Sequence, residues 1–365
     1  MKQKKRALDL VLPHLLELQP YESVSPPEVL AERAGIPQSD VVKLDANENP
    51  YGPSPKVADA LADMDQLHLY PDPAQTAMRA AISTYIGLPP EHVVVGNGSD
   101  EIIDLAFRAV LAPGDAIVNS TPTFGMYDFT AHVCGGRTVE IERDADFRID
   151  LPGIISAARD GAKIIILASP NNPSGNGVPR QAVERMLETG ALVIMDEAYA
   201  EFGGTSSAWL VPQHHNLVVL RTLSKWAGLA GLRVGYGLMN PDLADLLMRA
   251  KPPYNVNQAA AVGLLASLSD TETLNTRAKL IIEERERMFD LLAGLPGVTP
   301  MPSDANFVLC RVPDGRAHDA FEGLAQRGVF VRYYSRGKLA DYLRVSVGTT
   351  EQTDRLIAAF VEALS

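Results

Sequence analysis

The sequence feature that most constrains the fold is a lysine that follows directly after a short apolar run. The run, residues 216–220, is short and β-branched enough to be a buried strand. Lys225 comes soon after it, in a glycine-rich stretch, 221–236, that also contains Thr222 and Ser224. Because α/β proteins place their chemistry just beyond strand ends, Lys225 is predicted to lie in a functional site.

The neighbours of Lys225 favour a nucleophilic amine beside an anion. Apolar side chains, among them Trp226 and Leu229, should desolvate the lysine, which disfavours its charged form and leaves an amine able to attack a carbonyl. The two hydroxyls and Arg233 suit a phosphate. An aldehyde cofactor that carries a phosphate, pyridoxal 5′-phosphate (PLP), would satisfy all of these features. A surface lysine in a polar loop is the alternative.

Charge and residue counts narrow the functional class. A net charge of −12 argues against nucleic acids and anionic membranes as partners, and no apolar run reaches membrane length. The chain contains two cysteines, Cys134 and Cys310, without a paired-thiol motif, and its seven histidines show no metal-ligand spacing. We therefore expect a cytoplasmic enzyme without disulfides and without a bound metal.

Helix and strand patterns alternate over most of the chain. Runs such as 191–196 are apolar on both faces, as strands covered by helices on both sides must be. The alternation predicts an α/β fold with a large, doubly wound, mostly parallel sheet domain over 51–270. A mixed pattern predicts a smaller α+β domain over 271–365. An N-terminal arm, 1–50, should pack with the small domain and begin with a helix at 4–18.

A glycine turn between a predicted strand and helix supplies a second candidate for anion binding. The segment 93–103 places Gly98, Ser99 and Asp100 at the start of the helix. The first amides of a helix are unpaired and positively polarised, so a phosphate binds there. A dinucleotide site competes with this interpretation, but Glu101 stands where that fingerprint needs its third glycine. A plain strand-to-helix turn is equally compatible with the pattern.

Three further motifs follow predicted strands. Phe124 could stack on a flat heteroaromatic ring or merely pack the core. Asn171 and Asn172 lie in a proline-rich turn, where a side-chain amide can donate to a phenolic oxygen or form an ordinary Asx turn.

Asp196 ends an apolar strand, where a carboxylate is costly unless a cation meets it. A protonated pyridinium nitrogen is such a cation, and Tyr199 could donate to the phenolic oxygen of the same ring. An Asp-Glu pair after a strand also occurs in nucleotide sites. The sequence, however, has no Gly-Lys-Ser/Thr phosphate loop.

Together these motifs resemble the fold-type I PLP-dependent aminotransferases over nearly the whole chain. The motifs stand in the family's order at 47–50, 70–72, 96–100, 171–175, 196–199, 224–233 and 343–348. The resemblance implies that Lys225 is the lysine that binds PLP covalently and moves the proton, and that Asp196 pairs with the pyridinium nitrogen. It also implies a homodimer in which Tyr70 reaches the cofactor phosphate of the other subunit. The other implied cofactor-binding residues are Gly98, Ser99, Asp100, Thr222, Ser224 and Arg233 around the phosphate, Phe124 on the ring, and Tyr199 and Asn172 at the phenolic oxygen.

Within that family, four short segments resemble the branch that acts on L-histidinol phosphate: 20–21, 43–55, 331–332 and 343–344. The resemblance implies transamination with 2-oxoglutarate to imidazole-acetol phosphate and L-glutamate, a step of histidine biosynthesis. The implied substrate-binding residues are Tyr21, Asn47, Arg332 and Arg344, with Arg336 as an alternative to Arg332. A guanidinium is suited to this role because it pairs bidentately with a carboxylate or phosphate.

Other functions remain open at this point. An aromatic or aspartate-type aminotransferase and a threonine-phosphate decarboxylase share the fold. A non-catalytic PLP-binding module belongs to another class, but the residues before the first motif lack the charge and length of a DNA-reading appendage. A dinucleotide-dependent oxidoreductase is the remaining alternative.

Overall fold

The computed structural model describes residues 6–20, 23–203, 205–335 and 337–364. Its strands are β1 (Val42–Leu44), β2 (Val93–Gly96), β3 (Ala116–Thr121), β4 (Arg137–Glu142), β5 (Ile164–Ala168), β6 (Leu192–Asp196), β7 (Leu217–Thr222), β8 (Gly235–Met239), β9 (Thr299–Pro300), β10 (Phe307–Arg311), β11 (Val329–Tyr333) and β12 (Tyr342–Ser346). Its helices are α1 (Pro13–Leu16), α2 (Pro27–Ala34), α3 (Pro55–Ala62), α4 (Thr76–Ile86), α5 (Ser99–Val110), α6 (Met126–Val133), α7 (Leu151–Arg159), α8 (Arg180–Leu187), α9 (Pro241–Ala250), α10 (Gln258–Leu268), α11 (Thr271–Ala293), α12 (Arg316–Gln326) and α13 (Thr350–Leu364).

A seven-stranded sheet in the order β2-β8-β7-β6-β5-β3-β4 carries the larger core. Its neighbours are parallel except where β8 pairs antiparallel with β2 and β7. In β6, Val193 and Met195 belong to one hydrophobic cluster and Ile194 to another, because successive side chains of a strand point to opposite faces. Both faces of the sheet are therefore covered, as the continuous apolar runs predict, and the carboxyl ends of β5, β6 and β7 meet at one edge.

The second sheet has five strands in the order β1-β11-β12-β10-β9. Strand β1 lies before the large sheet in the chain, yet it pairs in parallel with β11, with Val42 opposite Val329. The remaining pairs are antiparallel. The N-terminal segment thus contributes an edge strand to the C-terminal sheet, and β12 brings Arg344 to the centre of it.

The arm differs from its prediction. A single helix at 4–18 is wrong: the described part of this range contains a short 3₁₀ turn, Ala7–Leu10, and the four-residue α1. The physical reason is Pro13, which keeps Leu12 extended and can begin a helix but cannot continue one. Residues 1–5 lie outside the described part.

Two searches of the described ranges bear on function. None of their helices has the length and hydropathy to cross a bilayer. In the same ranges, no group of three or more His, Cys, Asp or Glu side chains is arranged to hold a metal ion.

Candidate active site

A cavity of about 820 Å³ opens at the edge where the large sheet's strands end, beneath Arg332 and Arg344 of the small sheet. It brings together most of the residues predicted for cofactor and substrate: Asn47, Ser99, Asp100, Phe124, Asn172, Asp196, Tyr199, Thr222, Ser224, Lys225, Arg233, Arg332 and Arg344. Gly98 adjoins this group, whereas Tyr70 does not line the cavity. Tyr21 and Arg336 lie outside the described residues.

Lys225 projects from the turn that follows β7. Its Nζ donates to the backbone carbonyl of Ala46 at 3.1 Å. Burial lowers the pKa of Lys225 to about 8, and the nearby guanidinium of Arg344 contributes in the same direction. The turn depends on Gly228, since a Cβ there would lie 2.6 Å from the backbone of Gly52. The result is an amine that is less often protonated than an exposed lysine.

Asp196 ends β6 and is almost completely buried. The Tyr127 hydroxyl donates to its Oδ2 at 2.7 Å, and the backbone amide of Ala198 donates to its Oδ1 at 3.1 Å. Burial raises the pKa of Asp196 to about 6, and the bond from Tyr127 opposes that rise. This carboxyl therefore sits where a cation would strongly favour its ionised form.

Tyr127 is a site residue that the sequence did not reveal. It is fully buried on α6, and it packs edge-on against Phe124 with ring centroids 5.5 Å apart. The available signal was its place in the same segment as Phe124. Its hydrogen bond to Asp196, 69 residues away in the chain, is a tertiary contact that the local sequence does not predict.

The first turn of α5 forms a corner of the cavity with positive character. Gly98 caps the helix with a φ of 79°, and a Cβ there would lie 2.8 Å from Nη2 of Arg233. The same Nη2 contacts Asp100 at 3.0 Å. Thr222 donates to the Ser224 hydroxyl at 2.9 Å. Helix amides, two hydroxyls and a guanidinium thus converge on one side of the cavity.

Arg344 forms the opposite corner and is buried. Its Nη1 donates to Oδ1 of Asn172 at 2.6 Å, and its Nη2 donates to the carbonyl of Asp45. Its Nε is buried without a hydrogen-bond partner among the residues that the structure describes. Because Asn172 accepts through Oδ1, its amide nitrogen is the group left to donate into the cavity. Arg332, on the neighbouring strand β11, lies over the Tyr334 ring at 5.8 Å.

The sequence is similar to those of known proteins. The family model for class I and II aminotransferases matches residues 39–360. The histidinol-phosphate aminotransferase of Roseiflexus castenholzii is 50% identical over 363 residues, covering 97% of this chain and 98% of that protein. The chloroplastic histidinol-phosphate aminotransferase of Nicotiana tabacum is 46% identical over 360 residues, covering 98% and 87%.

A solved structure supports the same assignment. The histidinol-phosphate aminotransferase of Sinorhizobium meliloti, crystallised with pyridoxal 5′-phosphate, superposes with a TM-score of 0.89 at 26% identity, covering 97% of each chain. The predicted fold class is therefore confirmed. The family model over residues 39–360 and the relative that is 50% identical over 97% of the chain establish that this chain belongs to the class I and II aminotransferases.

Proposed function

We propose that this protein is a PLP-dependent aminotransferase that converts L-histidinol phosphate and 2-oxoglutarate to imidazole-acetol phosphate and L-glutamate. One observation carries the proposal: a single cavity contains an amine of lowered pKa, a buried carboxylate and two separate groups of hydrogen-bond donors that suit anions. One group suits a cofactor phosphate and the other a substrate phosphate or carboxylate. The names of the relatives point to the same reaction.

The residues of the cavity fit PLP. The first amides of α5, with Thr222, Ser224 and Arg233, would hold its phosphate, and Gly98 leaves room for Arg233 there. The Phe124 ring would cover the pyridine. Asp196 would pair with the ring nitrogen, since its carboxylate is buried and its hydrogen-bond partners in the described ranges are the Tyr127 hydroxyl and the Ala198 amide, both uncharged. Tyr199 and the amide nitrogen of Asn172 would donate to the phenolic oxygen.

When bound, PLP supplies an electron sink for negative charge that develops at the substrate Cα. Lys225 would bind the cofactor's aldehyde carbon in the resting protein and serve as the base at Cα when released. A base is most effective with a pKa near the working pH, and burial has brought that of Lys225 to about 8. Asp196 would keep the ring nitrogen protonated, with Tyr127 holding its Oδ2 in place.

Substrate binding would rest on the small sheet. Arg344 has a buried Nε without a partner in the described ranges, so it can donate a hydrogen bond to a carboxylate or phosphate oxygen. We propose that it binds the carboxylate of glutamate and the phosphate of histidinol phosphate in turn, with Arg332 assisting. Tyr21, which lies outside the described residues, is proposed to help bind the same acidic end of the substrate.

A homodimer is part of the proposal. Tyr70 is 80% exposed and stacks on Tyr254, with ring centroids 4.4 Å apart and Leu67 and Leu69 exposed nearby in the chain. An exposed aromatic and aliphatic group of this kind is typical of a surface that another protein covers. We propose that a second copy covers it and that Tyr70 completes the partner's site.

The test compares substrates in the first half-reaction. Purified protein is loaded with PLP and mixed separately with L-histidinol phosphate, phenylalanine, aspartate and threonine phosphate. We expect amino-group transfer to be fastest with histidinol phosphate, and Lys225→Ala to slow it by about a thousand-fold or more. Faster transfer from phenylalanine or aspartate would favour an aromatic or aspartate-type enzyme. Release of carbon dioxide from threonine phosphate would favour the decarboxylase.

A further inference from the structure

Asn47 lies beside Tyr199 and has a backbone conformation that residues other than glycine seldom adopt. Its φ is 54°, and it is 1% exposed. Its backbone amide donates to the Ser346 hydroxyl at 2.9 Å, and its carbonyl accepts from the amide of Asn306 at 3.0 Å. A buried residue held in the left-handed region by its surroundings is a reason to look for a functional constraint.

The side chain of Asn47 joins two elements that are distant in the sequence. Its Oδ1 accepts a hydrogen bond from the Ser346 hydroxyl at 2.9 Å, and its Nδ2 donates to the Tyr199 hydroxyl oxygen at 3.1 Å. Ser346 is on β12, two residues after Arg344, and Tyr199 follows β6. A chain of two hydrogen bonds therefore runs from Ser346 in the small sheet, through the Asn47 side chain, to Tyr199 in the cavity wall.

The directions of these bonds follow from counting hydrogens. The Asn47 backbone N–H can only donate, so Ser346 must accept it, and the serine's own hydrogen is left to give to Oδ1. With the amide in the opposite orientation, Nδ2 would face Ser346, and the serine's hydrogen would lose its acceptor. The orientation in the structure gives both the serine hydrogen and Oδ1 of Asn47 a partner, so Nδ2 is the end that faces Tyr199.

A phenol oxygen that receives a hydrogen bond keeps its own O–H to donate elsewhere. Burial raises the pKa of Tyr199 to about 12, so the phenol stays protonated at neutral pH. Among the described residues, the hydrogen of this hydroxyl has no acceptor, and Tyr199 lines the cavity. The Tyr199 O–H is thus available to donate to a molecule bound in the cavity.

We propose that Asn47 and Ser346 form a directional relay that fixes the Tyr199 hydroxyl as a hydrogen-bond donor toward the phenolic oxygen of the cofactor. The inference rests on the proposed PLP site. It makes Asn47 a positioning residue that acts through Tyr199, in place of the substrate contact predicted from the sequence. A fixed donor stabilises the ionised phenolic oxygen, so the relay should lower the pKa of the bound cofactor.

The test is a spectrophotometric pH titration of the PLP-loaded protein, which reports the pKa of the bound cofactor without turnover. Tyr199→Phe removes the donor and should raise that pKa. Asn47→Ala and Ser346→Ala leave the phenol but release its orientation. Each should raise the pKa in the same direction by a smaller amount, about half to one pH unit. Ser346→Ala keeps the test open if Asn47→Ala fails to fold.

The matched control is Asn49→Ala, the same change two residues along the same loop. Asn49 donates to the carbonyl of Trp226 and does not contact Tyr199. It should leave the cofactor pKa unchanged. In a Tyr199→Phe background, Asn47→Ala should add no further shift, since the relay then has no phenol to orient.

Three results would overturn the relay: an unchanged cofactor pKa in both Asn47→Ala and Ser346→Ala, an equal shift in Asn49→Ala, or an undiminished effect of Asn47→Ala in the Tyr199→Phe background. Failure of the proposed PLP site is distinguishable, because the wild-type protein would then show no PLP absorbance to titrate. Failure of the proposed substrate assignment appears only in the half-reaction comparison and leaves this titration unchanged.

Discussion

Lys225 and Asp196 depart from their ordinary pKa values in opposite directions for the same reason. Burial disfavours the charged form of each, so it lowers the pKa of the amine and raises that of the carboxyl. Both shifts bring the groups closer to neutral pH, where proton transfer is useful. Each makes a prediction for the protein without PLP.

The lysine should be unusually reactive near neutral pH. Labelling by a small aldehyde and borohydride, followed by peptide mass spectrometry, should give a rate for Lys225 that rises with pH and levels off above about pH 8. The physical reason is that the neutral amine is the nucleophile. The exposed Lys279 in the same digest controls for loss of reagent. A Lys225 rate that still climbs above pH 10 would contradict the lowered pKa.

The ionised carboxylate of Asp196 should destabilise the PLP-free protein. Since the pKa of Asp196 rises from 3.8 in the unfolded chain to about 6, folding favours the protonated form, and stability falls as the pH rises from 4 to 6. Asp196→Asn should therefore stabilise the PLP-free protein by about 3 kcal/mol at pH 8. The difference should vanish below about pH 4.

Urea unfolding of both proteins across this pH range measures the effect. The same Asp196→Asn variant should lose transaminase activity, because an amide does not hold the ring nitrogen protonated. A wild-type protein that is more stable than the variant at pH 8 would contradict the prediction.

At the scale of elements, the first turn of α5 shows how a backbone feature becomes a binding site. Gly98 has a φ of 79°, and its missing Cβ leaves space for the Arg233 guanidinium. Gly87 at the end of α4 has a φ of 82°, but a Cβ there would meet nothing within 4 Å. The two glycines share a positive φ and differ in what they adjoin.

Replacing each glycine by alanine separates the effect of backbone strain on stability from the effect on PLP binding. Gly98→Ala and Gly87→Ala should both lose about 1 kcal/mol or more of stability, because both impose a positive φ on a residue with a Cβ. Only Gly98→Ala should also raise the dissociation constant for PLP, by about ten-fold or more, since it displaces Arg233. PLP titration followed by absorbance gives the two constants. Equal weakening in both variants would assign the effect to general destabilisation.

The sequence predicted the large sheet well and the arm poorly. The apolar run 191–196 corresponds to β6 within one residue, because a strand covered on both faces is marked by its composition alone. Helix α6 begins at Met126, five residues after β3 ends at Thr121. The intervening turn is held by a bond from Thr123 to Oδ1 of Asn171 at 2.6 Å, a contact across 48 residues. Local patterns do not contain such contacts.

At the scale of the whole molecule, the proposed homodimer makes the site a shared structure. If Tyr70 completes the partner's site, each site takes Lys225 from one subunit and Tyr70 from the other. Lys225→Ala and Tyr70→Ala then remove contributions of different subunits to the same site. A heterodimer of the two variants would contain one site with both residues intact. Random mixing gives about half heterodimers, so about a quarter of wild-type activity should return.

Measuring activity after the two purified variants are unfolded together and refolded tests this. Each variant refolded alone is the control. Activity no greater than the average of the two separate variants would contradict a shared site.

The sequence by itself determined which residues can do the chemistry. Lys225 and Asp196 each follow an apolar run, and Gly98 opens a helix; these relations hold within about ten residues, so they can be read locally. The small sheet instead joins β1 to β11, nearly 300 residues later.

Only the tertiary structure decided how those residues behave. The bond from Tyr127 to Asp196 and the bond from Asn47 to Tyr199 join segments 69 and 152 residues apart. The pKa values of Lys225 and Asp196 depend on water being excluded by elements from all over the chain. Desolvation and long-range hydrogen bonding are properties of the packed molecule, and no local stretch of sequence contains them.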